Sequence, residues 1–168
     1  MFDNFITPKA ITILLISLVS SVYDLKIRRI PNWLTFGSFF LVLIFNITTL
    51  NFHNVLNCIL GFLLGIALLI VPYAMGGMGA GDVKLLGAIG SVVGYKEILW
   101  VFFYSSIAGL VLGIIWIILK PGHLKFIFVT GKILPPVDKK QKVPYGVAIM
   151  FGCIFYLIYG SATFLLFR

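Results

Sequence analysis

Five acidic residues occur in the 168-residue chain: Asp3, Asp24, Asp82, Glu97 and Asp138. Asp3 sits in the polar opening segment and Asp138 stands beside Lys139 and Lys140, so both read as solvated charges. Glu97 follows Lys96 at the expected start of a helix, where a carboxylate meets the positive end of the helix dipole. Asp24 and Asp82 differ, because each borders a long apolar run, and ionisable groups at such places are costly and are candidates for function. Each also has a structural reading. Asp24 could pair with Arg28 at i,i+4 spacing on a continuing helix, and Asp82 could cap a helix starting at Val83. Taken together, two carboxylates form an acid–base pair: held close they share a proton, so one can activate water while the other protonates a carbonyl oxygen.

The surroundings of Asp82 favour chemistry. It ends the stretch Gly76-Gly77-Met78-Gly79-Ala80-Gly81-Asp82, with four glycines in six positions before the acid. A helix cap alone does not require that. Gly79 and Gly81 would permit positive φ values, and Gly79, Ala80 and Gly81 are expected to leave room for a second peptide backbone beside the carboxylate. Pro72 upstream lacks an N–H and should bend the preceding helix. Lys84, one turn further on, could support the pair electrostatically, although a lysine snorkelling to the interface is the simpler reading. His53 and His123 both fall in connections, which argues against a Ser–His dyad within the helices and against an H-E-x-x-H metal site. Cys58 and Cys153 lie far apart in apolar runs, which supports neither a disulfide framework nor a zinc cluster. No metal and no cofactor is expected.

The elements that must position these acids are membrane helices. The chain is 61% hydrophobic and only 11% charged, against about 25% charged in an average soluble domain, and its mean hydropathy is +1.11. Apolar runs against charged or turn-rich borders predict an all-α, polytopic bundle of six helices over 5–23, 33–50, 54–74, 83–95, 97–119 and 145–167, forming one domain over 1–168. The fourth is too short to cross a bilayer core of about 30 Å alone. Gly61 with Gly65, Gly109 with Gly113, and the Gly87, Gly90, Gly94 series are expected to allow close helix approach. Ten of the thirteen Lys and Arg residues, Lys84 among them, fall in or beside segments 24–32, 76–83 and 120–144. That bias places both aspartates at the cytoplasmic face and both termini outside. The net charge of +8 is thereby a topology signal, with no basic helix or stacking platform to suggest a nucleic-acid partner. The apolar stretch Leu124 to Val129 is expected to lie on the membrane surface, its neighbouring lysines meeting anionic lipid headgroups.

Three motifs in order resemble one family. Gly79-Ala80-Gly81-Asp82 matches the GxGD signature of intramembrane aspartic proteases, and Val83-Lys84-Leu85-Leu86 extends it in the manner of the type IV prepilin peptidases. Asp24 with Lys26, Arg28, Arg29 and then Ile30-Pro31-Asn32-Trp33-Leu34-Thr35 looks like that family's first catalytic aspartate and its downstream element. Pro144-Tyr145-Gly146-Val147-Ala148 is similar to a third element. Presenilin-like proteases share GxGD, and Tyr23-Asp24 mimics their first motif, but Ile30-Pro31-Asn32 favours the prepilin group. The resemblance implies a bacterial-type inner-membrane aspartic peptidase that removes a short basic leader from prepilin-like or pseudopilin proteins, cutting after a glycine ahead of an apolar helix. Asp24 and Asp82 would be the catalytic pair. Basic inner loops oppose a basic leader, and anionic lipid bound to those loops would offset the repulsion. Larger members carry a paired-cysteine segment and also methylate the new N-terminus; lacking that segment, the chain is expected to belong to the short, peptidase-only branch. Two further classes remain open: a small proton-coupled transporter relaying protons through the same acids, and a non-catalytic pilus-assembly scaffold.

Overall fold

Hydrocarbon offers no hydrogen-bond partner to a peptide group, so a spanning segment must close its backbone bonds internally. The computed structural model, which describes residues 7–48, 50–119 and 145–166, does so with six helices. They are α1 (Pro8–Ile27), α2 (Asn32–Thr48), α3 (Phe52–Ala74), α4 (Ala80–Val93), α5 (Ile98–Leu119) and α6 (Tyr145–Leu166). No strand occurs among the described residues. Pro8–Ile27, Phe52–Ala74 and Ile98–Ile115 are long and apolar enough to cross a membrane, while α2 and Tyr145–Gly160 are shorter apolar helices. The protein is thus an all-α, polytopic membrane protein. The expected surface stretch Leu124 to Val129 and the charge at Asp138 lie outside the described residues.

The order of packing follows from α4. It has fourteen residues, about 21 Å at the helical rise, and eleven of them are buried, which makes it the central helix. Its main partner is α3, with α2 and α1 alongside, while α5 and α6 pair with each other and α6 rests on α1. Leu85, Leu86 and Ile89 of α4 join Ile13 and Ile16 of α1, Leu69 of α3 and Ile149 of α6 in one core. Outward-facing Leu15, Phe45 and Ile118 are exposed, as expected where lipid is the solvent.

Glycine sets the α3–α4 contact. A Cβ on Gly65 would stand 2.6 Å from the Leu86 carbonyl oxygen, and one on Gly61 would collide with the Gly90 carbonyl. Gly87 accepts the Ile66 side chain, where a Cβ would meet it at 2.9 Å. The two backbones therefore touch, which is how helices associate when no water is being expelled. Of the second expected pair, only Gly109 is approached, by the Tyr145 ring; Gly113 has open space around it.

Two boundaries beside the acids and one side-chain role differ from the sequence reading. α1 runs past residue 23 to Ile27, because lysine and aspartate end an apolar run without ending a helix; it stops when Arg28 turns left-handed at φ 54°. α4 starts at Ala80, not Val83, with Gly79 as its N-cap. Glu97 immediately precedes α5, as anticipated, and beyond its place at the helix dipole its carboxylate accepts a hydrogen bond from the Tyr156 hydroxyl and so ties α5 to α6. Replacing Gly61 by Ala should cost about 1–3 kcal/mol of stability through overpacking, measured by thermal unfolding in detergent, whereas Gly113→Ala should leave the transition unchanged or raise it.

Candidate active site

Both aspartates are charged groups whose side chains the fold removes from solvent: Asp24 is 8% exposed and Asp82 7%. Burial of a carboxylate without donors is expensive, and each is met by a backbone N–H. Asp82 occupies the third position of α4, and its Oδ2 accepts from the Gly79 N–H at 3.0 Å. This is half of a capping box, the half that reaches back from the helix; Gly79 has no side chain to return it. Asp24, in the last turn of α1, accepts through Oδ2 from the Gly146 N–H at 2.9 Å, at the start of α6. Each carboxylate therefore sits at the positive end of a helix, its own in one case and a distant one in the other.

The glycines earn their place differently from the expectation. Gly79 is extended, with φ −86° and ψ 151°, and neither it nor Gly81 is among the residues at positive φ, where Gly76 stands instead at 79°. Their small size is what counts. A Cβ on Gly79 would lie 3.2 Å from Asp82 Oδ2, and one on Gly81 would lie 3.1 Å from the Ile30 Cβ and 3.3 Å from the Ile30 nitrogen. The backbone that approaches Gly81 is thus the chain's own α1–α2 connection. Gly146 is the tightest of the three: a Cβ there would meet Asp24 Oδ2 at 2.9 Å.

Ile30, buried against Gly81, brings the α1–α2 connection onto the start of α4. Lys84 fastens the same junction. Its ammonium donates to Asn32 Oδ1 at 2.9 Å and lies 5.3 Å from the centre of the Phe36 ring, both on α2. The Asn32 amide oxygen thus serves α4. Tyr23 and Trp33 stack edge to face at 6.3 Å across the same corner, joining α1 to α2.

These elements border one open cavity of about 600 Å³, within the range of small-ligand sites. Asp24 and Asp82 both line it, together with Gly79, Ala80, Gly81 and Lys84 and the connection from Arg28 to Asn32. Every candidate site residue named from the sequence therefore meets at one place. The Tyr145 ring packs on Gly109 of α5 and the Gly146 N–H meets Asp24, so the first two residues of α6 join α5 and α1. Sequence reasoning noted the Pro-Tyr-Gly element but gave Gly146 no task; a glycine at the opening of an otherwise bulky apolar helix was the available sign. No cluster of His, Cys, Asp or Glu that could hold a metal occurs among the described residues.

The pattern of the type IV leader peptidase family matches residues 11–114, which include both aspartates. The chain belongs to that family. It is 29% identical over 156 residues to a prepilin leader peptidase/N-methyltransferase of Bacillus subtilis (strain 168), covering 91% of this chain and 56% of the relative. A prepilin leader peptidase/N-methyltransferase of Pectobacterium carotovorum subsp. carotovorum is 30% identical over 114 residues, 64% of this chain and 40% of the relative. One of Xanthomonas campestris pv. campestris is 52% identical over 44 residues, 26% of this chain and 15% of the relative. The chain thus spans little more than half the length of the Bacillus protein and less of the other two. No solved structure matches the chain significantly.

The Lys84–Asn32 bond joins two motifs 52 positions apart. In a double-mutant cycle of Lys84→Met and Asn32→Leu, read by thermal unfolding, the pair should show a coupling of about 0.5–1.5 kcal/mol; additive single effects would contradict the contact.

Proposed function

We propose that the protein is a two-aspartate membrane endopeptidase that removes the leader of prepilin-like proteins, with Asp24 and Asp82 as its catalytic residues. The observation that carries this reading is the burial of these two carboxylates against one cavity in a chain of the type IV leader peptidase family. One carboxylate takes a proton from water as the water oxygen attacks the scissile carbonyl; the other gives its proton to the carbonyl oxygen as the tetrahedral species forms. Collapse of that species breaks the C–N bond, with the proton passing to the leaving nitrogen. The pair exchanges roles and titrates as a unit. Gly79 and Gly81 let the start of α4 close around Asp82, and Lys84 acts through Asn32 to hold the roof of the cavity rather than on the acids directly.

The lysine and arginine bias supports placing the cavity at the cytoplasmic face of the inner membrane. Cleavage there meets a substrate where its leader passes into its apolar helix, so no buried helix need be unwound. The described cysteines, Cys58 and Cys153, are buried on different helices, and peptide cleavage is the activity proposed.

The test is cleavage of a peptide with a basic leader, a glycine and an apolar helix by the purified protein in detergent. Asp24→Asn and Asp82→Asn should each lower the rate by about 10²–10⁴ while leaving the helical circular dichroism intact. Gly146→Ala, which must push Asp24 aside, should lower kcat by about 10² with a smaller change in KM. Cleavage that survives either Asn substitution refutes the mechanism; proton flux without cleavage would point to a transporter, and neither activity to a scaffold.

A further inference from the structure

The connection from α4 to α5 is sunk into the bundle. A Cβ on Gly90 would collide with the Gly61 carbonyl, and one on Gly94 would stand beside Asn57. α4 therefore ends at the level of Asn57, while α3 begins at Phe52, about 7 Å further out at the helical rise. On the other side Glu97 accepts from the Tyr156 hydroxyl, whereas α6 runs on to Leu166, about 15 Å beyond. A turn over residues 94–97, with the charges of Lys96 and Glu97, thus lies below the ends of its neighbours.

The last turn of α4 adds a stronger demand. The Gly94 N–H closes on the Gly90 carbonyl and the Ile98 N–H on that of Gly94, but the carbonyls of Ser91, Val92 and Val93 accept no hydrogen bond among the described residues. All three residues are buried, and a backbone carbonyl taken from water without a donor is costly. They line a cavity of about 470 Å³, in whose walls Thr12 of α1, Asn46 of α2 and Asn57 of α3 alternate with apolar side chains. A smaller cavity of about 280 Å³ is bordered by Glu97, Trp100 and Tyr156. Lys9 and Val93 belong to both.

Irregular backbone at membrane depth is tolerated where it lines water, and three carbonyls at one helix end require donors. Hydrocarbon has none to give. Water supplies them, in a space larger than a single molecule needs, and it suits walls whose polar groups are spread along their depth. We propose that the two cavities form one aqueous vestibule, open on the side remote from the aspartates and floored by the last turn of α4. Water then stands at both ends of that helix, and the centre of the bundle spans only its length, about 21 Å, instead of the roughly 30 Å of a bilayer core. A helix of fourteen residues can thereby hold Asp82 at one interface without leaving its other end in hydrocarbon. The vestibule rests on the membrane fold alone and stands apart from the peptidase reading.

Thiol reactivity tests it, because methanethiosulfonates react with the thiolate, which forms in water and not in hydrocarbon. Single cysteines are placed in the full chain carrying Cys58→Ala and Cys153→Ala, reconstituted in vesicles, and exposed to an impermeant trimethylammonium methanethiosulfonate from the side remote from the aspartates. Positions 12 and 42 line the vestibule, whereas Ile11, the neighbour of Thr12, and Ile44, nearer the surface than Val42, face lipid. Thr12→Cys and Val42→Cys should react about 10²-fold faster than Ile11→Cys and Ile44→Cys. In the unaltered chain, silver ion added from the same side should reach Cys58, which lines the larger cavity, well before Cys153, which borders neither. Equal rates in the two pairs, or Cys58 no faster than Cys153, would overturn the proposal. Faster labelling from the aspartate side would overturn it too, as would a jump in the reactivity of the Thr12→Cys variant once bound lipid is stripped in detergent, which would assign the space to lipid.

Discussion

A carboxylate at the edge of hydrocarbon must be given donors, and this constraint organises the aspartate end of the protein. Two helix N-termini supply them. Asp82 uses the one it stands on, through Gly79, and Asp24 uses the start of α6, 122 positions away, through Gly146. The second bond is the more consequential. It brings the end of α1 and the start of α6 to the same point, and Tyr145, the neighbour of Gly146, packs from there on Gly109 of α5. A charge that would otherwise disfavour the fold thus fixes where three helices begin or end.

The other determinant is the length of α4. A helix of fourteen residues cannot face lipid on its own and still reach both interfaces, so it is buried, and burial beside α3 requires Gly61, Gly65, Gly87 and Gly90. Its N-terminus sets the height of Asp82. Its C-terminus leaves a cavity that longer neighbours surround. One economy of length therefore produces both a site at one end and an unfilled volume at the other.

Much of this was legible in the sequence, because hydropathy reports the solvent directly. The six apolar runs correspond to the six helices, and the scarcity of acids isolated Asp24 and Asp82, which the fold brings to one cavity. The α3–α4 glycines were also readable from their spacing. What the sequence did not disclose depends on partners distant along the chain. The task of Gly81 is set by Ile30, that of Lys84 by Asn32, and that of Glu97 by Tyr156. Positive φ was the natural guess for Gly79 and Gly81, since local backbone freedom is all that a local reading can see; their real constraint is space. Gly146 was hardest of all, because its contribution is an amide every residue has and a side chain it lacks.

The central claim is spatial: residues 24 and 82 line a single cavity. Intramolecular cross-linking tests it most directly, using Asp24→Cys and Asp82→Cys together in a chain whose Cys58 and Cys153 are replaced by Ala. A short bifunctional thiol reagent should bridge the two cysteines within one chain in the membrane, without forming dimers. Efficient labelling of each cysteine alone, with no bridge between them, would contradict the account.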